Sequence, residues 1–77
     1  MTVKVVGKGC DKYFYMLGEV KKIAKASKKD IQVIEITSGT DIAKLGVRNL
    51  PALIVDGKLC NEGTNIDKKV IEEMLAG

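Results

Sequence analysis

The sequence predicts an α/β fold with the element order β-α-β-α-β-β-α, a four-stranded mixed sheet and helices on both faces. Three observations predict it. Short β-branched runs alternate with stretches of helical periodicity. An Asp56-Gly57 pair separates the last two strand-like runs, which marks a tight hairpin. The 77 residues are 45% hydrophobic and 30% charged with one proline, a globular balance and not a disordered one. That length makes one domain, residues 1–77. Its core is thin, since a chain this short buries only about 60% of its unfolded surface.

Each element has its own signal. Thr2 to Val6 alternates and is β-branched, so it reads as a strand. Gly7-Lys8-Gly9 breaks that pattern. From Cys10 to Ser27 the residues Tyr13, Leu17, Val20, Ala24 and Ser27 fall on one helical stripe, widened by Phe14, Met16 and Ile23. Lys21, Lys22, Lys25, Lys28 and Lys29 crowd the other face and the C-terminal turn, where cations suit the helix dipole. This lysine run reads as a solvated face. Gly18 inside the helix costs about 1 kcal/mol relative to alanine. Ile31 to Thr37 is a second strand, with Ile31, Val33, Ile34 and Ile36 as its apolar positions. Thr40 or Asp41 caps a short helix over Asp41 to Leu45, closed by Gly46. Ala52 to Val55 and Lys58 to Glu62 are the hairpin strands. Ile66 to Leu75 is the last helix, capped by Asn65 or Thr64, with Ile66, Val70, Ile71, Met74 and Leu75 on the buried side. The helix between the first two strands makes them parallel with a right-handed crossover.

Composition excludes several function classes. Histidine is absent, which removes Ser-His-Asp, Cys-His and His-ligated metal chemistry within the chain. Two cysteines, Cys10 and Cys60, are too few for a closed zinc site. The aromatics are Tyr13, Phe14 and Tyr15, side by side, unlike the spread of stacking platforms that single-stranded nucleic acid needs. A net charge of +3 is no DNA-binding footprint. No apolar run approaches the about 20 residues of a membrane helix, and the N-terminus shows no signal-peptide pattern. The expectation is a cytoplasmic protein with no metal, cofactor, nucleic acid or membrane among its partners, acting as a monomer.

The blocks Val5-Val6-Gly7-Lys8-Gly9-Cys10 and Gly46-Val47-Arg48-Asn49-Leu50-Pro51-Ala52-Leu53-Ile54-Val55-Asp56-Gly57-Lys58 carry a resemblance. With a cysteine at the first strand-to-helix turn and a proline just before the third strand, the chain resembles the small thioredoxin/glutaredoxin-like proteins of bacteria and archaea. The element order extends that resemblance over the whole chain and implies the thioredoxin-like fold. It also implies thiol-disulfide exchange with Cys10 as the nucleophile, acting on a protein or glutathione-like thiol or disulfide. The physical reason is that unpaired N–H groups and the dipole at a helix N-terminus favour thiolate, the nucleophilic form. Lys8 and Lys12 add positive charge beside Cys10, while Asp11 opposes it.

The family's second cysteine belongs three positions on, and here that position is Tyr13. Without a second thiol, a mixed disulfide at Cys10 must be resolved from outside, which leaves a monothiol mechanism. Tyr13 has two readings: an aromatic of the core or rim, or a hydroxyl donating to the Cys10 sulfur. Three consecutive aromatics cannot all face the core, so an aromatic docking patch beside the thiol is expected. By the resemblance Pro51 follows a cis bond and lies against the cysteine, and Leu50 offers its backbone to an extended thiol substrate. Alternatively Pro51 simply starts a strand. A regular hairpin places Cys60 opposite Leu53, too far along the strand for a bond to Cys10, so Cys60 reads as a small apolar strand residue.

Two other classes compete with the redox reading. One is a binding module on a catalytically degenerate thioredoxin scaffold. The other is metal handling, because Gly7-Lys8-Gly9-Cys10 superficially matches the loop of small copper chaperones. That family also needs a second cysteine and has the order β-α-β-β-α-β, which the Asp41–Leu45 helix and Pro51 oppose. A glutathione-bridged iron–sulfur cluster would need a dimer and a serine-bearing active-site tetrapeptide, which is absent. Cys10 at the dipole-favoured position tips the balance to the redox reading.

Overall fold

The computed structural model describes residues 1–63 and 68–76. The elements run β1 (Thr2–Val6), α1 (Asp11–Ala26), β2 (Gln32–Ile36), α2 (Gly39–Leu45), β3 (Ala52–Val55), β4 (Lys58–Glu62) and α3 (Lys68–Ala76). One sheet has the strand order β2-β1-β3-β4. β1 pairs in parallel with β2 and antiparallel with β3, and β3 pairs antiparallel with β4. This is the mixed sheet expected from a helical crossover followed by a hairpin.

Period-two alternation divides the core between two faces. Val3 and Val5 of β1 and Leu53 and Val55 of β3 pack against Tyr13, Met16, Leu17 and Val20 of α1 and Ile71 and Leu75 of α3. Val6, Ala52 and Ile54 point the other way, onto Ile42 of α2. Register explains this, since Val3 pairs with Val55 and Val5 with Leu53, while Val6 pairs with Ala52. β3, inside the sheet, is buried along its whole length, hence its continuous apolar run Ala52–Val55. The hairpin turn carries positive φ at both Asp56 and Gly57, the type I′ geometry whose twist matches the strands. Asp56 also ties the turn to β1: its carboxylate accepts from the Thr2 N–H at 2.8 Å and its own N–H donates to the Thr2 carbonyl at 2.8 Å.

Several local expectations need correction. α1 starts at Asp11, with Cys10 as the residue before it. α2 starts at Gly39 after Ser38, so its cap precedes the Thr40 or Asp41 read from the sequence. Phe14 does not widen the buried stripe; it is 59% exposed. Glu19 is buried instead, with one oxygen 3.8 Å from the Lys22 ammonium. Val70 is exposed rather than buried, and Ile34, read as an apolar position of β2, is exposed as well. The β3–β4 ladder is irregular between Leu53 and Ile54, so Leu53 faces Asn61 and Cys60 is the extra residue of a bulge. The caps expected at Thr64 or Asn65, and Ile66, lie outside the described residues.

Candidate functional site

The C-terminal end of β1 brings the functional loops together. Val6 is paired with Ile36 on one side and Ala52 on the other. The segments that continue from these three positions therefore leave the sheet at one end. They are Gly7–Cys10, the approach to α2, and the Leu50–Pro51 turn. Glu62 belongs to the same end, since it pairs with Ala52. The Gly7 N–H donates to the Ile36 carbonyl at 3.0 Å, extending the parallel ladder by one bond.

Cys10 is an exposed free thiol in extended conformation, φ −79° and ψ 167°, at the N-terminus of α1. Its side chain makes no capping hydrogen bond. The first helical bond runs from the Phe14 N–H to the Cys10 carbonyl at 3.1 Å. The N–H groups of Asp11, Lys12 and Tyr13 therefore have no acceptor within the helix. Gly9 delivers the chain to this point with φ +82°, a conformation that L side chains avoid.

Tyr13 fills the space beneath that loop. It is 1% exposed, and its ring lies on the Gly7 backbone so closely that a Cβ there would stand 2.9 Å from its Cγ. Its hydroxyl donates to the Glu35 carboxylate at 3.4 Å, a long and weak bond. Glu35 also pairs with Lys21 at 3.6 Å, so the three link α1 to β2. Burial chiefly, and then the Glu35 charge and hydrogen bond, push the Tyr13 pKa above 10.0. This corrects the reading in which the hydroxyl supports the Cys10 sulfur: its proton is directed to Glu35. Burial likewise removes Tyr13 from the residues that can touch a substrate.

Phe14 takes the exposed place instead. It is one helical turn from Cys10, on the same face, and its ring lies 3.9 Å from where a Gly9 Cβ would be. Edge-to-face packing on Tyr13, with centroids 5.3 Å apart, holds that ring in place. Tyr15, at 44%, is exposed as well. The sequence reading missed this place for Phe14, and its i,i+4 spacing from Cys10 is the signal that could have found it.

The other candidate residues are placed as follows. Lys12 is exposed, with no ion-pair partner among the described residues. Lys8 turns its ammonium to the start of α2, 3.4 Å from where a Gly39 Cβ would lie. The Leu50–Pro51 peptide bond is cis. Pro51 is fully buried, so it shapes the turn and presents no ring to a partner. Leu50 is half-buried and packs against the α2 side of the core. Cys60 is a free thiol on the edge strand, donating to the Lys58 carbonyl at 3.5 Å. Among the described residues no cluster of three or more His, Cys, Asp or Glu side chains could hold a metal ion. No helix there is long and apolar enough to cross a membrane.

A family model described as a thioredoxin domain matches residues 1–76. The chain belongs to this family. Among solved structures, this thioredoxin-family chain is similar to thioredoxin 1 from the thermophilic eubacterium Thermosipho africanus TCF52B. The match has a TM-score of 0.64 and 22% identity, and covers 99% of this chain and 96% of that one. At that identity the likeness establishes the thioredoxin fold. No curated protein matches the chain. This thioredoxin-family member thus has Cys10-Asp11-Lys12-Tyr13 where the sequence resemblance implies two cysteines.

Proposed function

We propose that the protein is a thiol-disulfide oxidoreductase working by a monothiol mechanism through Cys10. The observation that carries this is an exposed, uncapped cysteine at the start of α1, beside N–H groups with no helical acceptor. Those groups and the helix dipole favour thiolate. The thiolate attacks one sulfur of a disulfide R–S–S–R′. A Cys10–S–S–R bond forms, the S–S bond breaks, and R′S⁻ leaves with the electron pair. No second cysteine follows at position 13, so an external thiolate attacks the mixed disulfide. It forms a new disulfide with R and returns the electron pair to Cys10.

The surroundings support an extended or apolar partner. Phe14 offers an exposed ring one turn from the sulfur, and Leu50 stands on the loop at the same end of the sheet. The experiment is incubation of the Cys60→Ser protein with oxidised glutathione, read by intact mass. One glutathione adduct is expected, released by reduced glutathione and absent in Cys10→Ser. If no adduct forms on a folded protein, exchange at Cys10 is refuted, and the exposed Phe14 and Tyr15 would favour the binding-module reading.

A further inference from the structure

Glu62 uses both oxygens of its carboxylate on consecutive residues of the loop before Pro51. One accepts from the Arg48 backbone N–H at 3.1 Å, and the other from the Asn49 side-chain amide at 3.2 Å. The next residue, Gly63, donates its N–H to the Pro51 carbonyl at 3.0 Å. A Cβ on Gly63 would lie 3.7 Å from the Asn49 Cβ, so the two segments are in van der Waals register. The loop is thereby held at Arg48, Asn49 and Pro51. Leu50, between these anchors, has no hydrogen-bond partner for its backbone among the described residues. An unpaired backbone unit held rigidly at both sides is what strand addition requires.

We propose that Glu62 is a positioning residue. Its carboxylate holds the Arg48–Pro51 loop so that the Leu50 backbone is presented to an extended peptide substrate. The ordering cost of that loop is then met in the free protein and not at the encounter. This rests on the thiol-exchange reading of Cys10. It assigns the protein a preference for extended peptide disulfides over small ones. Arg48 contributes its backbone N–H, and Asn49 contributes its side chain. Gln at position 62 can reproduce the clamp, because its carbonyl accepts from Arg48 while its amide donates to a flipped Asn49 carbonyl. Ala cannot.

The test compares two disulfides in the Cys60→Ser background. One is a short unstructured peptide whose single cysteine carries a thionitrobenzoate group. The other is Ellman's reagent, which has no peptide backbone. In each case Cys10 thiolate forms the mixed disulfide and thionitrobenzoate leaves with the electron pair, giving one colour readout. Glu62→Ala is expected to slow the peptide reaction about tenfold, the effect of charge-assisted hydrogen bonds discounted for their exposure. The Ellman rate should stay within about twofold, and Glu62→Gln should restore the peptide rate. Asn49→Ala should fall between. If the parent protein reacts with both reagents while Glu62→Ala slows neither, or both equally, the clamp is overturned and Cys10 exchange stands. A folded parent that reacts with neither overturns the exchange reading and this proposal with it.

Discussion

Gly7→Ala probes the contact on which the candidate site is seated. A Cβ at Gly7 would overlap Tyr13 Cδ1 and stand 2.9 Å and 3.0 Å from its Cγ and Cβ. Ordinary carbon contacts lie at about 3.5–4.0 Å, so the ring or the loop must move. The ring has little freedom to do so. It is 1% exposed, packed edge-to-face on Phe14 and bound through its hydroxyl to Glu35. Overpacking of this kind costs typically about 1–3 kcal/mol. A loss of about 2 kcal/mol in a domain this size lowers Tm by about 8–16 °C.

The same substitution in a Tyr13→Leu background separates overlap from any backbone effect. With the ring gone, Gly7→Ala should cost less than about 0.5 kcal/mol, since alanine at an unstrained position is neutral or mildly stabilising. The double-mutant cycle should therefore give a coupling of about 2 kcal/mol. Urea unfolding followed by far-UV circular dichroism measures it in a chain without tryptophan. An equal cost of Gly7→Ala in both backgrounds would refute the contact as the reason for glycine.

Three further outcomes follow from the same structure. Gly18 has open space where a Cβ would be, so Gly18→Ala should stabilise the protein by about 1 kcal/mol in thermal melts; a loss would expose a packing role that the structure does not contain. The folded-state pKa of Tyr13 is raised above 10.0. Its contribution is therefore full below that value and is lost as pH rises through the folded pKa, because the unfolded chain sheds the proton first. Alkaline urea titrations should show this fall, and Tyr13→Phe should flatten it. Tyr13→Cys restores the family spacing, and positions three apart on a helix lie within disulfide range. Air oxidation of Tyr13→Cys/Cys60→Ser should give an intramolecular disulfide that blocks Cys10 alkylation; a persistently free Cys10 would contradict the placement of residue 13.

Elements whose causes are local were legible in the sequence. Thr2–Val6, Ala52–Val55 and Lys58–Glu62 match the strands residue for residue, because alternation and the Asp56-Gly57 turn leave little choice of boundary. The start of α2 was less legible, since Ser38, Thr40 and Asp41 all cap helices well and only the path of the chain selects Ser38. Phe14 was misplaced because periodicity gives the direction of an apolar stripe but not its edge. The bulge at Cys60 leaves no mark in a short alternating strand, so a regular register was the natural reading. Cys10, Leu50 and Pro51 were visible as motif positions. The Glu35 bond to Tyr13 and the Glu62 hold on Arg48 and Asn49 were not, because both join residues that only the fold brings together.

The central claim is that the fold makes Cys10 the reactive thiol. Its most direct test is the rate of Cys10 alkylation by iodoacetamide at neutral pH, in the folded protein and in the same protein unfolded by urea, with Cys60 as the internal reference. The exposed position of Cys10 at the start of α1 predicts that it reacts as fast folded as unfolded, while the partly buried Cys60 reacts more slowly when folded. A Cys10 that reacts more slowly folded than unfolded would contradict the account.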